Sequence, residues 1–125
     1  AITDVTGFGL LGHLLEICKG SKLGARVDFA RLPLLPEALA MARDGVFTGA
    51  SGRNWAGYGE RVALGTGMGD AEQRLLTDPQ TSGGLLVSCA ADAVDQVMQI
   101  FAAEGFADAS VIGEMTEGAP RILVA

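Results

Sequence analysis

The feature that most constrains the fold is the stretch at residues 3–13, where a carboxylate and several glycines directly precede an apolar segment. Residues 7–12 match the G-x-G-x-x-G spacing of dinucleotide-binding sites, and Asp28 lies at about the distance expected of a ribose-binding acid. The strand before such glycines is normally a buried apolar run, but residues 2–6 carry the charge of Asp4 at their centre. No alternation of strands and crossover helices follows, so the sequence argues against a dinucleotide fold.

Hydrophobic periodicity predicts three helices. The first runs from Thr6, as its N-cap, to Gly20, and the second covers residues 36–43. The third follows Asp92 as its N-cap and carries an apolar stripe that we expect to lie in the core. That stripe consists of Val94, Val97, Met98 and Phe101.

Short apolar runs predict four strands, at residues 25–29, 85–88, 109–115 and 121–124. The turn at residues 116–120 predicts that the last two strands pair as an antiparallel hairpin. The resulting fold class is α+β, with a mixed β-sheet and helices packed on it.

The segment from Gly45 to Gly69 holds eight of the 18 glycines, together with Arg53, Asn54 and Tyr58. One interpretation is a long mobile surface loop. The other, which the aromatic and Arg-Asn residues favour, is a loop whose amides and polar side chains reach a ligand or a partner domain.

Length and charge limit the function classes. With 125 residues, 49% hydrophobic and 19% charged, residues 1–125 are expected to form one globular domain. A net charge of −6 argues against nucleic acid as a partner, and no apolar stretch is long enough to cross a membrane. Cys18 and Cys89 lie in apolar surroundings, which favours buried thiols in a reducing compartment. Because the sequence starts at Ala1 inside its first motif, we expect it to be part of a longer protein.

Asp4 is the strongest candidate for chemistry, as a magnesium ligand, since Mg²⁺ often takes one or two protein carboxylates plus waters and phosphates. Further ligands would come from Asp78, from Asp28 or from outside the chain. A second candidate is the turn at residues 78–84, where hydroxyls and glycine amides either bind an anion or serve only the turn itself. His13, beside leucines, is expected to be a packed or capping side chain rather than a base or a ligand.

Two stretches carry a family resemblance: D-V-T-G-F-G-L-L-G-H at residues 4–13 and L-T-D-P-Q-T-S-G-G-L at residues 76–85. In order and spacing they closely resemble the signatures of the selenophosphate synthetases, also called selenide, water dikinases. Arg53-Asn54 and Tyr58-Gly59 resemble that family's glycine-rich middle segment. The resemblance is to the C-terminal half of these two-domain enzymes and covers essentially the whole chain.

The resemblance implies the C-terminal domain fold shared with the aminoimidazole ribonucleotide synthetases, an α/β sandwich. It implies an enzyme that makes selenophosphate, AMP and phosphate from ATP, selenide and water, acts in the cytoplasm and is a homodimer at full length. Asp4 resembles the magnesium ligand that this half contributes to the ATP phosphates. Four residues match the family's second signature, and two roles stay open for them, contact with the nucleotide or structural support of the domain interface: Thr81, Ser82, Gly83 and Gly84.

The family's reactive Cys or selenocysteine, its Lys and most of its nucleotide-binding aspartates belong to the N-terminal half. Neither Cys18 nor Cys89 matches the reactive position, so this chain alone is predicted to be inactive. Two alternatives remain open: another ATP-using enzyme of the same superfamily, or a non-catalytic binding module on this fold.

Overall fold

The computed structural model describes residues 1–125 and has an α+β architecture, as predicted. The six strands are β1 (Ile2–Asp4), β2 (Gly24–Val27), β3 (Val62–Leu64), β4 (Leu85–Val87), β5 (Gly113–Thr116) and β6 (Ile122–Val124). The five helices are α1 (Gly9–Ser21), α2 (Ala38–Arg43), α3 (Gly49–Tyr58), α4 (Asp70–Leu76) and α5 (Val94–Ala103). Short 3-10 turns cover Phe29–Arg31, Gly59–Arg61 and Ala91–Ala93. No helix is both long enough and apolar enough to cross a membrane.

The strands form two separate sheets. β1 and β4 make a two-stranded antiparallel ribbon, while the other four strands form a mixed sheet in the order β3-β6-β2-β5. In the larger sheet β6 runs parallel to both of its neighbours, and β5 runs antiparallel to β2. The mixed sheet confirms the predicted fold class.

The core lies between α1 and the two sheets. Leu11, Leu15 and Cys18 of α1 are fully buried, and they pack with Val27 of β2 and Val124 of β6. This arrangement follows from the sequence pattern, because the apolar residues of α1 recur at helical spacing and those of β6 alternate. Cys18 therefore is a core residue, as expected, and burial raises the pKa of its thiol.

The prediction of a loop between Gly45 and Gly69 is wrong. This segment contains helix α3, a 3-10 turn and strand β3. Helix α3 begins after Thr48, whose hydroxyl accepts a hydrogen bond from the Ser51 amide at 3.4 Å, the bond expected of an N-cap. This cap and the tertiary bonds of α3 outweigh the low helix propensity of its glycines.

The predicted hairpin at the end of the chain is also wrong. β5 and β6 do not pair with each other; both pair with β2, on its opposite edges. The turn at residues 116–120 therefore carries the chain across β2 rather than into a tight hairpin.

The helix ends differ from the prediction as well. α1 begins after Phe8 rather than Thr6, and it continues past Gly20 to a left-handed C-cap at Lys22. α5 begins after Ala93 with no side-chain cap, because Asp92 lies within the preceding 3-10 turn.

Two predicted core features are not buried. The α5 stripe of Val94, Val97, Met98 and Phe101 is only half-buried and does not belong to the central cluster. Cys89 is exposed, because β4 ends at Val87 and the chain leaves the ribbon before Cys89.

Candidate functional site

The structure brings the two signature segments, residues 4–13 and 76–85, into direct contact. Asp4 of β1 lies opposite Leu85 of β4 in the antiparallel ribbon. Beyond the ribbon, the Val5 amide donates to the Gly84 carbonyl at 2.9 Å, and the Gln80 amide donates to the Thr6 carbonyl at 3.0 Å. The two segments, separated by the 62 residues from 14 to 75, thus form one paired structure, which we call the signature junction.

Asp4 lies at the surface of the signature junction. It is exposed, and its carboxylate makes no hydrogen bond or salt bridge within the protein. No group of three His, Cys, Asp or Glu side chains in the protein is placed to hold a metal ion. A single free carboxylate fits Mg²⁺ as one ligand among waters and phosphates, but the chain does not complete a metal site by itself.

The other two carboxylates considered as ligands have local partners. Asp78 accepts a hydrogen bond from the Thr48 hydroxyl at 3.4 Å, and Asp28 accepts one from the Ala30 amide at 3.1 Å. Asp28 therefore caps the 3-10 turn that follows it, instead of continuing the strand predicted at residues 25–29, because β2 ends at Val27. Neither residue joins Asp4 in a metal-binding cluster.

The glycines of the signature junction fall into two kinds. Gly9 has a φ of 71°, and a Cβ there would lie 2.6 Å from the Thr77 carbonyl carbon; a Cβ on Gly83 would overlap the Val5 carbonyl oxygen. These two glycines are required because backbone packs on backbone. A Cβ on Gly7 or Gly84 would meet nothing within 4 Å. Only the second kind leaves backbone accessible from outside.

The residues predicted to contact a nucleotide lie on the second-signature side of the junction. Thr81, Ser82 and Gly84 are exposed, and neither hydroxyl makes a hydrogen bond within the protein. Gly83 is less accessible because it packs against Val5. The Thr81 and Ser82 hydroxyls are therefore free, whereas the Gly84 carbonyl accepts from the Val5 amide and Gly83 has a structural role.

Side chains of helix α3 hydrogen-bond to both segments of the signature junction. The Asn54 amide nitrogen donates to the carbonyls of Gly7 and Thr77, both at 2.9 Å. One helical turn later the Tyr58 hydroxyl donates to the Phe8 carbonyl at 2.6 Å. Asn54 and Tyr58 share one face of α3 because they are four residues apart. The contacts of both residues leave no local signal in the sequence, since they join positions about 50 residues apart.

Tyr58 is half-buried between α1 and α3, and burial raises the pKa of its phenol to about 12. Only the neutral phenol can donate to the Phe8 carbonyl, so the hydrogen bond persists at every physiological pH. Gly12 makes room for the ring, since a Cβ there would lie 3.0 Å from it. Tyr58 therefore acts as a neutral structural donor.

A buried hydroxyl pair connects α3 to the end of α4. The Ser51 and Thr77 hydroxyls lie 2.6 Å apart, so one donates to the other. Both are buried and also lie near carbonyls, Ser51 at 3.1 Å from that of Arg74 and Thr77 at 2.8 Å from that of Gln73, and the hydroxyl that accepts within the pair donates to its carbonyl. These bonds satisfy both hydroxyls, which is necessary for polar groups in the core.

His13 is a half-buried side chain that packs beside Phe8 and bonds to the loop before α1, without capping that helix. Its Nε2 atom accepts a hydrogen bond from the Thr6 amide at 3.0 Å and lies 3.0 Å from the Thr6 hydroxyl. Because an amide N–H can only donate, Nε2 must be unprotonated in this arrangement. The imidazole thus ties the loop after Asp4 to the first turns of α1.

The dinucleotide interpretation of the G-x-G-x-x-G pattern does not agree with the topology. In a dinucleotide fold the strand before the glycines runs parallel to the strand after the helix. Here β1 and β2 lie in different sheets, and β1 pairs antiparallel with β4. Gly9, the second glycine of the pattern, packs against the Thr77 backbone. This contact leaves no room for a pyrophosphate at Gly9.

Comparison with known proteins finds one family and a set of related enzymes. Residues 1–124 match the model of AIR synthase related protein, C-terminal domain. The chain is 63% identical over 124 residues to a selenide, water dikinase of Pseudomonas straminea, which covers 99% of this chain and 35% of that protein. It is 61% identical over 125 residues to the selenide, water dikinase of Burkholderia ambifaria (strain MC40-6), and the match covers 100% of this chain and 35% of that protein. With the selenide, water dikinase of Rhizobium meliloti (strain 1021) the identity is 44% over 124 residues, and the match covers 99% of this chain and 36% of that protein. The chain thus spans about a third of the length of these curated relatives.

Proposed function

Because this chain belongs to the family of AIR synthase related proteins, as the C-terminal domain, we propose that it is the C-terminal domain of a selenide, water dikinase. The longer enzyme makes selenophosphate, AMP and phosphate from ATP, selenide and water. This proposal rests on the identity to proteins of that name along the whole chain. The domain assignment accords with the fraction of those relatives that the chain spans.

The structural observation that supports a magnesium role is the free carboxylate of Asp4 beside the exposed second-signature turn. Asp4 stands opposite Leu85, so its strand directly adjoins the turn that ends at Gly84. A carboxylate without a protein partner, next to unbonded hydroxyls and open backbone, suits a metal–phosphate group approaching from outside the domain. We propose that Asp4 supplies one Mg²⁺ ligand and that Thr81, Ser82 and Gly84 line the nucleotide side.

Magnesium bound there would neutralise phosphate charge during phosphoryl transfer. The domain's own contribution is positioning: it holds Asp4 and the turn at a fixed separation through the backbone bonds of the signature junction. Such positioning accounts for much of the rate enhancement in phosphoryl transfer. Gly83 takes part by allowing the Val5 backbone to pack closely, rather than by contacting nucleotide.

We further propose that the remaining ligands and the reactive Cys or selenocysteine with its Lys belong to the N-terminal ATP-binding part of the enzyme. ATP and selenide then reach this domain through that part. On this proposal the 125-residue chain alone is inactive. The full-length enzyme is a cytoplasmic homodimer that requires neither nucleic acid nor a membrane.

The test is an assay of the longer protein with Mg-ATP and selenide, following AMP and selenophosphate. We expect Asp4→Asn to lower turnover by about 100-fold or more, since it removes the charge of a metal ligand. Asp108→Asn is the matched control, because Asp108 is exposed and has no hydrogen bond or salt bridge. Equal activity of the two variants would contradict the role of Asp4.

Calorimetric titration of the 125-residue chain separates the alternatives. We expect no tight binding of Mg-ATP or NAD, because the chain lacks a complete metal site and has no dinucleotide topology. Tight NAD binding would contradict the proposal, and so would the formation of AMP and selenophosphate by the chain alone.

A further inference from the structure

Asn54 is the only side chain that hydrogen-bonds to both signature segments. Its amide nitrogen donates one hydrogen to the Gly7 carbonyl and one to the Thr77 carbonyl, each at 2.9 Å. Since both partners are carbonyl oxygens, the side chain must present its NH₂ group here, and both hydrogens are used. The residue therefore fixes the distance between two backbone segments rather than capping either one.

The backbone bonds of the signature junction do not reach as far as Gly7. They join Val5 to Gly84 and Thr6 to Gln80. Beyond Thr6, the chain toward α1 is held by the side chains of Asn54 and Tyr58. Of these two residues, only Asn54 also hydrogen-bonds to the second signature segment. It therefore links the two segments where no backbone hydrogen bond joins them.

The position of Asp4 depends on this link between the two segments through Asn54. Asp4 is three residues before Gly7, on a strand that is exposed and pairs only with β4. A two-stranded ribbon is marginally stable by itself, so its geometry relies on what anchors its ends. When a metal ligand depends on such support, loss of the supporting hydrogen bond typically weakens metal binding by 10- to 100-fold.

We propose that Asn54 is a positioning residue for the magnesium–nucleotide site, acting through the Gly7 and Thr77 carbonyls without touching the nucleotide. The inference rests on the proposed function and deepens it. It assigns to the glycine-rich middle segment the task of holding the two signature segments together at Gly7 and Thr77, where no backbone bond joins them.

The test compares three variants in the longer protein. Asn54→Leu keeps a similar volume but removes both donors, and Asn54→His restores one ring N–H donor. Ser51→Ala is the matched control, since Ser51 lies on the same helix and bonds to Thr77 and Arg74 but not to the first signature segment. The measurements are the unfolding temperature, kcat, and the Mg²⁺ concentration that gives half-maximal turnover.

We expect Asn54→Leu to raise the half-maximal Mg²⁺ concentration by about tenfold or more, and Asn54→His to recover part of this loss. Ser51→Ala should lower the unfolding temperature and leave the Mg²⁺ requirement unchanged. If Asn54→Leu destabilises the protein without changing the Mg²⁺ requirement, its role is only structural and the inference is overturned.

Amide hydrogen exchange distinguishes this outcome from failure of the proposed function. Asn54→Leu should speed exchange at Val5 and Gln80, relative to the amides of α1, whereas Ser51→Ala should not. If the wild-type protein makes no selenophosphate but exchange changes as expected, the proposed function fails and the positioning effect stands. Unchanged exchange at both amides would overturn the inference itself.

Discussion

Two glycines of the signature junction and two glycines of helix α3 show opposite uses of a missing side chain. In the signature junction, Gly9 and Gly83 are pressed against other backbone, and neither has room for a methyl group. In the middle segment, Gly52 and Gly57 lie on the exposed side of α3, and a Cβ on either would meet nothing within 4 Å. Glycine content alone therefore indicates neither a loop nor a ligand site; what matters is what faces the missing side chain.

The strongest test of this comparison is Gly83→Ala beside Gly84→Ala. The first substitution forces a methyl group onto the Val5 carbonyl oxygen, which is backbone and cannot rotate away. We expect it to lower the free energy of unfolding by about 3 kcal/mol, as overpacking at a rigid site does. Gly84→Ala, one residue later and facing open space, should change it by less than about 0.5 kcal/mol. Urea denaturation of both variants measures the difference, and equal losses would show that the contact at Gly83 is not tight.

A smaller effect is expected where the two regions meet, at Tyr58. It is the only tyrosine, so a spectrophotometric tyrosinate titration reports its pKa alone. We expect a midpoint near 12, because burial disfavours the charged phenolate. An unfolded tyrosine titrates near pH 10.

The same shift predicts the pH dependence of stability. The folded pKa is raised, so the stability contributed by the neutral phenol is fully present below about pH 10 and is lost as the pH rises through about 12. Tyr58→Phe should lack this alkaline loss, while remaining less stable at neutral pH because the Phe8 carbonyl loses its donor. A wild-type midpoint near 10 would mean that the ring is not held between α1 and α3.

The smallest expected effect has the opposite sign. Gly52→Ala and Gly57→Ala should each raise the free energy of unfolding by about 0.5–1 kcal/mol, since alanine favours helix and fits the open space. Gly59→Ala is the matched control, because its Cβ would lie 2.6 Å from the Trp55 ring. Thermal unfolding measures all three, and destabilisation by the first two would contradict the packing of α3.

Local sequence patterns correctly predicted the elements whose apolar residues recur at regular helix or strand spacing. Helix α1 and strand β4 are found where their apolar residues indicated, and the fold class is correct. Helix α3 was not predicted, because its three glycines, at residues 49, 52 and 57, lower helix propensity and only its cap and its tertiary bonds overcome this. The pairing of β6 between β2 and β3 was also missed, since parallel pairing over such a distance leaves no local signal.

For the candidate site, the residue types were identifiable but their arrangement was not. The signature motifs pointed to Asp4 and to residues 81–84, and the structure places Asp4 at the end of β1, opposite Leu85, and residues 81–84 in the turn that leads into β4. The bridging role of Asn54 could not be predicted, because it depends on α3 packing behind both segments. Likewise, the sequence does not show that Gly83 packs against the Val5 backbone while Gly84 faces open space, because this depends on the three-dimensional arrangement.

The order of the larger sheet has a consequence for synthesis of the protein on the ribosome. β2 and β3 are made early but share no hydrogen bonds; both pair with β6, which is made after every other strand. While residues 122–124 are still inside the exit tunnel, the centre of the sheet is vacant and β3 has no strand to join. The larger sheet therefore cannot be completed during translation until β6 has left the tunnel.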